Sequence, residues 1–185
     1  MYTSGSTGIP KGVKISHDNL YSSNLARQKY YNHQGLNSFA LYSYSFDSSV
    51  NLFFDTILTG GNLYLYDTPK LDLYQVWNEM NNNKSEILTI PPSLYDLLLE
   101  HGNFIHLKKV IVAGEECLSS IVKKHFSINP NVELFNEYGP TECTVWSLVY
   151  KINKNDETRK RIPIGLPILY SNVLILDKDY RKIPI

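Results

Sequence analysis

Near the start of the chain, Thr3-Ser4-Gly5-Ser6-Thr7-Gly8-Ile9-Pro10-Lys11-Gly12 concentrates hydroxyls and glycines immediately before a lysine, the combination a polyphosphate cradle requires. Glycines let the main chain approach an anion with its N–H groups gathered in a nest, hydroxyls add donors, and a lysine ammonium supplies charge without a fixed geometry. The same composition at a terminus describes a flexible Ser/Gly linker, and composition alone favours that plainer reading. The segment is not the nucleotide-kinase P-loop: G-x-x-x-x-G-K-[ST] requires Gly at position 10 and Ser or Thr at position 12, where Pro10 and Gly12 stand. Taken singly, other candidates are ambiguous. Gly139-Pro140-Thr141-Glu142 suits a turn into an acidic first helical turn, and Asp47 suits a helix cap for the apolar run from Val50. Trp146 opens an apolar run and is as readily core as pocket lining. His17, His33, His101, His106 and His125 have no metal-ligand spacing, and Cys117 and Cys143 show no C-x-x-C or C/H pattern, so reduced thiols without zinc or a disulfide framework are expected.

The elements that must position these residues alternate between strand-like and helix-like along most of the 185 residues, enough for one globular domain or slightly more. Ser16 can cap a helix over 18–31, although Leu20, Asn24 and Leu25 are too sparse for a strong apolar stripe. Strands are expected at 40–46, 63–66, 87–90, 109–112 and 132–135. Helices are expected at 50–58 (ending at Gly60-Gly61), 71–81, 93–100 (opened by Pro91-Pro92) and 119–126. Right-handed crossovers make such strands largely parallel. Beyond Trp146 the pattern turns to strands at 146–152 and 173–176, joined by a charged loop over 153–161 and followed by a turn at 177–179. The expected fold is therefore α/β: a partial doubly wound, largely parallel sheet with flanking helices, plus a β-rich C-terminal stretch. Equal counts of 18 basic and 18 acidic residues leave no basic footprint for nucleic acid. No apolar run approaches the roughly 18 residues needed to span a bilayer, and the opening residues lack signal-peptide character, so a cytoplasmic protein with no membrane partner is expected.

Read together, the motifs resemble the adenylate-forming superfamily, which includes acyl-CoA synthetases, luciferases and the adenylation domains of nonribosomal peptide synthetases. Tyr2 to Gly12 follows its phosphate-loop signature Y-T-S-G-S-T-G-x-P-K-G, and Asn136-Glu137-Tyr138-Gly139-Pro140-Thr141-Glu142 matches its second diagnostic motif. Phe46-Asp47-Ser48-Ser49 matches the F-D-x-S segment of the amino-acid-activating branch. Smaller correspondences lie at Thr89-Ile90-Pro91-Pro92, Ala113-Gly114-Glu115 and Ile164-Gly165-Leu166-Pro167, in the family's order along the chain.

The resemblance implies an ATP-dependent ligase that joins a carboxylate to ATP, giving an acyl-adenylate and pyrophosphate before transfer to a thiol. By that likeness Thr3, Ser4, Gly5, Ser6, Thr7, Gly8 and Lys11 hold the β- and γ-phosphates, Tyr138 stacks on adenine, Asn136 bonds the purine amino edge and Gly114 lets backbone cover the other ring face. Thr141 donates to the α-phosphate and Glu142 holds Mg2+, a hard cation suited to carboxylate and phosphate oxygens. Lys11, Thr141 and Glu142 are the implied catalytic set. Asp47 pairs with a substrate ammonium, which favours an amino acid, and Ser48, Asn51, Thr89, Ile111, Ala113, Glu137, Val145 and Trp146 line the side-chain pocket beside it. A Trp146 at the pocket floor favours a small side chain, whereas Asn51 and Glu137 add polarity, so the two hints diverge.

The same likeness places residues 1–185 as a partial AMP-binding adenylation domain, the central segment of the large subdomain. Both flanks, the T-G-D motif, the hinge and the small domain with its catalytic lysine are expected elsewhere; Lys11, Lys178 and Lys182 do not replace that lysine. The chain alone is expected to be catalytically incompetent, since orientation alone supplies on the order of 7–11 kcal/mol of a barrier. Implied partners are an amino acid, and the carrier domain with its phosphopantetheine and the condensation domain of a larger synthetase. Two alternatives stay open: an acyl-CoA or aryl-acid ligase fragment, for which Asp47 has no ammonium to bind, and a noncatalytic remnant.

Overall fold

The computed structural model describes residues 1–3, 8–41, 43–67 and 70–183. Its first feature is a two-stranded antiparallel hairpin of β1 (Tyr2–Thr3) and β2 (Lys11–Gly12), in which Thr3 faces Lys11. Main-chain bonds between Met1 and Val13 at 2.8 and 3.1 Å extend the pairing, so the ends of the candidate phosphate loop are fastened together rather than frayed. Helix α1 (His17–Tyr31) begins at Ser16 in a capping box: the Ser16 hydroxyl accepts from Asn19 N, and the Asn19 carboxamide accepts from Ser16 N. Its buried face is largely polar, with Ser23, Asn24, Ala26, Arg27 and Tyr31, which explains why no apolar stripe marks it in the sequence.

There follow β3 (Ser38–Ala40), α2 (Ser48–Leu58), β4 (Leu63–Leu65), α3 (Leu73–Asn82), β5 (Ile87–Ile90), α4 (Pro92–Leu98), β6 (Lys109–Ala113), α5 (Ser119–Ile128), β7 (Glu133–Tyr138), β8 (Leu148–Ile152) and β9 (Leu166–Pro167). The second sheet has the order β4-β3-β5-β6-β7-β8-β9, parallel from β4 to β7 and antiparallel for β8 and β9. Alternation along the strands divides the core. Leu88, Ile90, Val110, Val112 and Leu134 face one layer with Val76 and Met80 of α3, Tyr95 and Leu98 of α4 and Val122 of α5. Ile87, Ile111 and Phe135 face the other, with Ala26 and Tyr31 of α1 and with Trp146. Covering both faces is why β5 and β6 read as largely apolar runs. From β3 the chain steps one way to β4 through α2, then returns past β3 to β5, β6 and β7 through α3, α4 and α5. Strand order thus reverses between β3 and β5, as in a doubly wound sheet.

Three expectations are corrected. The strand at 40–46 is Ser38–Ala40 instead: its apolar run continues past the sheet, where Phe46 N bonds Ser43 O at 3.0 Å and the chain turns into α2. The strand expected from Trp146 starts at Leu148, because Thr144 and Val145 have φ of 61° and 79°, a left-handed backbone that cannot extend. Residues 173–176 form no strand, only a bridge from Leu176 to Lys182 around the expected turn at Asp177; the strand that pairs with β8 is β9. No helix among the described residues is long and apolar enough to cross a membrane.

Candidate functional site

A cavity of about 810 Å³ opens at the carboxyl ends of β5, β6 and β7, beside the turn that leads from β3 into α2. Parallel strands end their connections here at the reversal of strand order, the place where open α/β sheets bind ligands, and the volume suits a small organic molecule. Residues of the Phe46-Asp47-Ser48-Ser49 and Asn136 to Glu142 motifs meet in it, whereas none of the described residues of the phosphate loop does.

At one end stands Asp47. It precedes α2 but does not cap it: its backbone is helical (φ −63°, ψ −29°) and its side chain makes no capping bond. The carboxylate instead accepts a hydrogen bond from the Thr141 hydroxyl at 2.5 Å, joining motifs 94 residues apart. Thr141 opens a 3-10 turn, Thr141–Cys143, whose C-terminal edge carries the left-handed Thr144 and Val145. Two successive β-branched residues in that region cost about 1–3 kcal/mol each, and the turn keeps Val145 at the cavity wall.

Below Asp47 the wall is built from α1, α2 and β7. The Arg27 guanidinium lies 2.8 and 3.0 Å from the Glu137 oxygens and 3.5 Å from Asp55, while the Tyr31 hydroxyl donates a short bond to Glu137. His33 reaches the same Asp55 oxygen at 3.1 Å. Arg27 also lies over the rings of Tyr31 and Trp146, 5.2 and 5.0 Å from their centroids. Burial opposes its charge, but Glu137, Tyr31 and Asp55 outweigh it and hold its pKa above the ordinary value. Burial and the Glu137 carboxylate push the Tyr31 phenol well above its ordinary value, so it remains a donor. Asn51, one helical turn beyond Asp47, is 2% exposed, and neither its oxygen nor its nitrogen has a partner.

At the other end, Gly114 has φ +87° and a Cβ there would meet nothing within 4 Å, so an open shelf follows β6. Tyr138 is 49% exposed at the end of β7. Asn136 donates its amide to Pro163 O at 2.9 Å, which fixes the carboxamide and leaves its oxygen to accept from a ligand amino group. Gly139 is required by close approach: a Cβ would fall 2.4 Å from Trp146 Cα. A shelf, an exposed ring and an oriented acceptor fit a purine. Glu142 is exposed, and among the described residues no three His, Cys, Asp or Glu side chains gather into a metal site. One carboxylate completed by phosphate oxygens is a donor set that suits Mg2+.

Of the residues expected to meet substrate, Asp47, Ser48, Asn51, Thr89, Ala113, Glu137 and Val145 line the cavity, together with Gly114, Asn136 and Tyr138 of the expected base site. Ile111 and Trp146 do not. Both are core residues facing α1, and the Trp146 indole donates to Ser23 Oγ at 3.1 Å, so the size limit expected from it has no structural basis. Glu137 is at the wall with its oxygens engaged by Arg27 and Tyr31. Thr3, Gly8, Lys11 and Glu142 lie outside the cavity lining, Thr141 touches it only through Asp47, and Ser4, Gly5, Ser6 and Thr7 lie outside the described residues. The sequence reading missed Arg27. Its signal was available in Ser23, Arg27 and Tyr31, spaced four apart on a helix without an apolar stripe, a buried polar face.

Residues 1–184 match the family model described as AMP-binding enzyme. The whole chain aligns at 36% identity with bacitracin synthase 3 of Bacillus licheniformis, of which it spans 3%. The crystal structure of the nonribosomal peptide synthetase FmoA3 superimposes with a TM-score of 0.90 at 22% identity, over 98% of this chain and 20% of that one. Holo-PA1221, a nonribosomal peptide synthetase protein containing adenylation and PCP domains, superimposes at 0.86 with 23% identity, over 100% of this chain and 32% of that one.

Proposed function

The chain belongs to the AMP-binding enzyme family, and from that premise we propose that its cavity is the substrate site of an amino-acid adenylation domain, which condenses an amino acid with ATP to an aminoacyl-adenylate and pyrophosphate. The observation that carries this reading is the pairing of Asp47 with Thr141 at the edge of a cavity whose far end presents Gly114, Tyr138 and Asn136. A carboxylate uncommitted to helix capping is placed for a substrate ammonium, while a purine at the shelf brings the α-phosphate toward Thr141. The substrate carboxylate oxygen attacks the α-phosphorus and the bond to the β-phosphate oxygen breaks, releasing pyrophosphate. An ammonium on Asp47 takes over the acceptor that Thr141 now uses, freeing its hydroxyl to donate to the α-phosphate as charge develops there. Tyr138 and Asn136 hold the base, and Asp47 fixes the nucleophile's distance, the orientation that makes the step effectively unimolecular. Thr3 and Lys11, paired in the hairpin, hold the flanks of the loop assigned to the departing phosphates. Glu142 would hold a magnesium ion, which when bound would neutralise phosphate charge.

The chain spans only 3% of the curated relative, and the carrier and condensation partners, like the thioester transfer that follows adenylation, are inferred from the synthetases it resembles. Amino-acid-dependent exchange of pyrophosphate into ATP, measured on the polypeptide containing this chain, tests the reading. Exchange should require an amino acid and be lost in Asp47→Ala; exchange driven equally well by acids without an amino group would indicate the acyl or aryl acid ligase reading.

A further inference from the structure

Among the described cavity-lining residues, the buried polar atoms without a hydrogen-bond partner are Arg27 Nε, which lies 3.5 Å from Asp55, and both ends of the Asn51 carboxamide. Buried amides are rarely left in this state, and each unmet group costs free energy that a ligand can recover. Asp47 and Asn51 are four residues apart at the start of α2, hence on one helix face and one turn apart, and both line the cavity. A ligand whose ammonium sits on Asp47 therefore sends its side chain past Asn51.

The chemistry of that side chain follows from what Asn51 lacks. An unpaired oxygen needs a donor and an unpaired NH2 needs an acceptor, and a primary carboxamide offers both in one planar group. A carboxylate leaves the Asn51 oxygen facing an anion, and an ammonium leaves the NH2 unmet. The charges of the α1 and β7 wall do not change this choice: Glu137 is engaged by Arg27 and Tyr31, and Arg27 already faces two carboxylates, Glu137 and Asp55. Trp146, packed into the core beneath, does not shorten the pocket. Resting on the adenylation reading above, we propose that this site selects an amino acid whose side chain ends in a carboxamide, asparagine or glutamine, with Asn51 as the specificity-determining residue.

The test is isothermal titration of the protein with nonhydrolysable aminoacyl-sulfamoyl adenosines carrying asparagine, glutamine, aspartate, glutamate, ornithine, leucine and methionine. The carboxamide ligands should bind roughly 100-fold more tightly than leucine or methionine, which leave both Asn51 groups unmet. In Asn51→Leu, a substitution of similar volume that removes the unpaired groups, the order should invert toward leucine and methionine. Tightest binding of an acidic, cationic or apolar ligand by the unaltered protein overturns the proposal, as does an unchanged order in the variant. If the variant does not fold, the panel on the unaltered protein decides alone. Binding of none of the panel also overturns the proposal, whereas the adenylation reading itself fails separately, by absence of amino-acid-dependent exchange of pyrophosphate into ATP.

Discussion

Replacing Arg27 by methionine keeps most of the buried stem and removes the guanidinium from between Glu137 and Asp55. In the native protein that group lies 2.8 Å from Glu137, 3.5 Å from Asp55 and over the rings of Tyr31 and Trp146. Breaking a buried pair by removing one partner costs about 3–5 kcal/mol, because a charge is left uncompensated. Here two carboxylates lose the same cation, so the upper half of that range, about 4–5 kcal/mol, is expected. Urea unfolding followed by tryptophan fluorescence suits the test, since Trp146 stacks on Tyr31 at 5.9 Å and reports on this cluster. With a slope near 2 kcal/mol per molar urea, the midpoint should fall by about 2 M. Arg27→Met combined with Glu137→Leu should cost about 2–3 kcal/mol less than the sum of the single changes, since the pair is removed together. A midpoint shift below about 0.5 M for Arg27→Met, or full additivity in the double variant, would refute the reasoning that this cluster is a coupled support for the cavity wall.

Other outcomes follow from buried groups. His125 is buried with its ring bonded to the Tyr95 hydroxyl at 2.7 Å and to Val132 O at 2.9 Å; burial lowers its pKa, more than the bond to Val132 O raises it. The unfolded state therefore takes up the proton first, so stability should be full above about pH 6.5 and fall as pH drops below it, and a His125→Gln variant should show a flatter profile in acid. Tyr95→Phe leaves the ring nitrogen unmet and should lower stability by about 1–3 kcal/mol in the same unfolding assay. The Cys117 thiol is buried and pushed up to about 12, whereas Cys143 is exposed, so a thiol reagent near pH 8 should label one cysteine per native chain and two in denaturant.

The β5 and β6 segments were legible because each is buried on both faces and so reads as a largely apolar run, and the Ser16 end of α1 carries its capping chemistry in the sequence. The end of β3 was not legible, since the strand-like composition continues beyond Ala40 while the described Ser43 to Phe46 lie outside the sheet in the turn that leads to Asp47. Motif resemblance brought Asp47, Asn136 and Tyr138 to one cavity from two separate stretches of sequence. It could not tell which pocket positions are spent inside the protein. Trp146 lies under Arg27 in the core, and Glu137 is bound by Arg27 and Tyr31, a residue pair on a helix whose buried face is polar. Those are tertiary facts, set by which faces meet rather than by local pattern. The left-handed Thr144 and Val145 are equally unreadable from β-branched residue types that favour strand.

The most direct measurement on the central claim compares the binding of an aminoacyl-sulfamoyl adenosine with that of its counterpart lacking the α-amino group, by calorimetry on the protein and on Asp47→Ala. Deleting the amine should weaken binding to the unaltered protein by roughly 100-fold or more, the loss expected for an unpaired partner in a partly buried charge pair. The two ligands should bind Asp47→Ala alike. Equal affinity of both ligands for the unaltered protein would contradict an ammonium site at Asp47 and with it the assignment of the cavity to amino-acid activation.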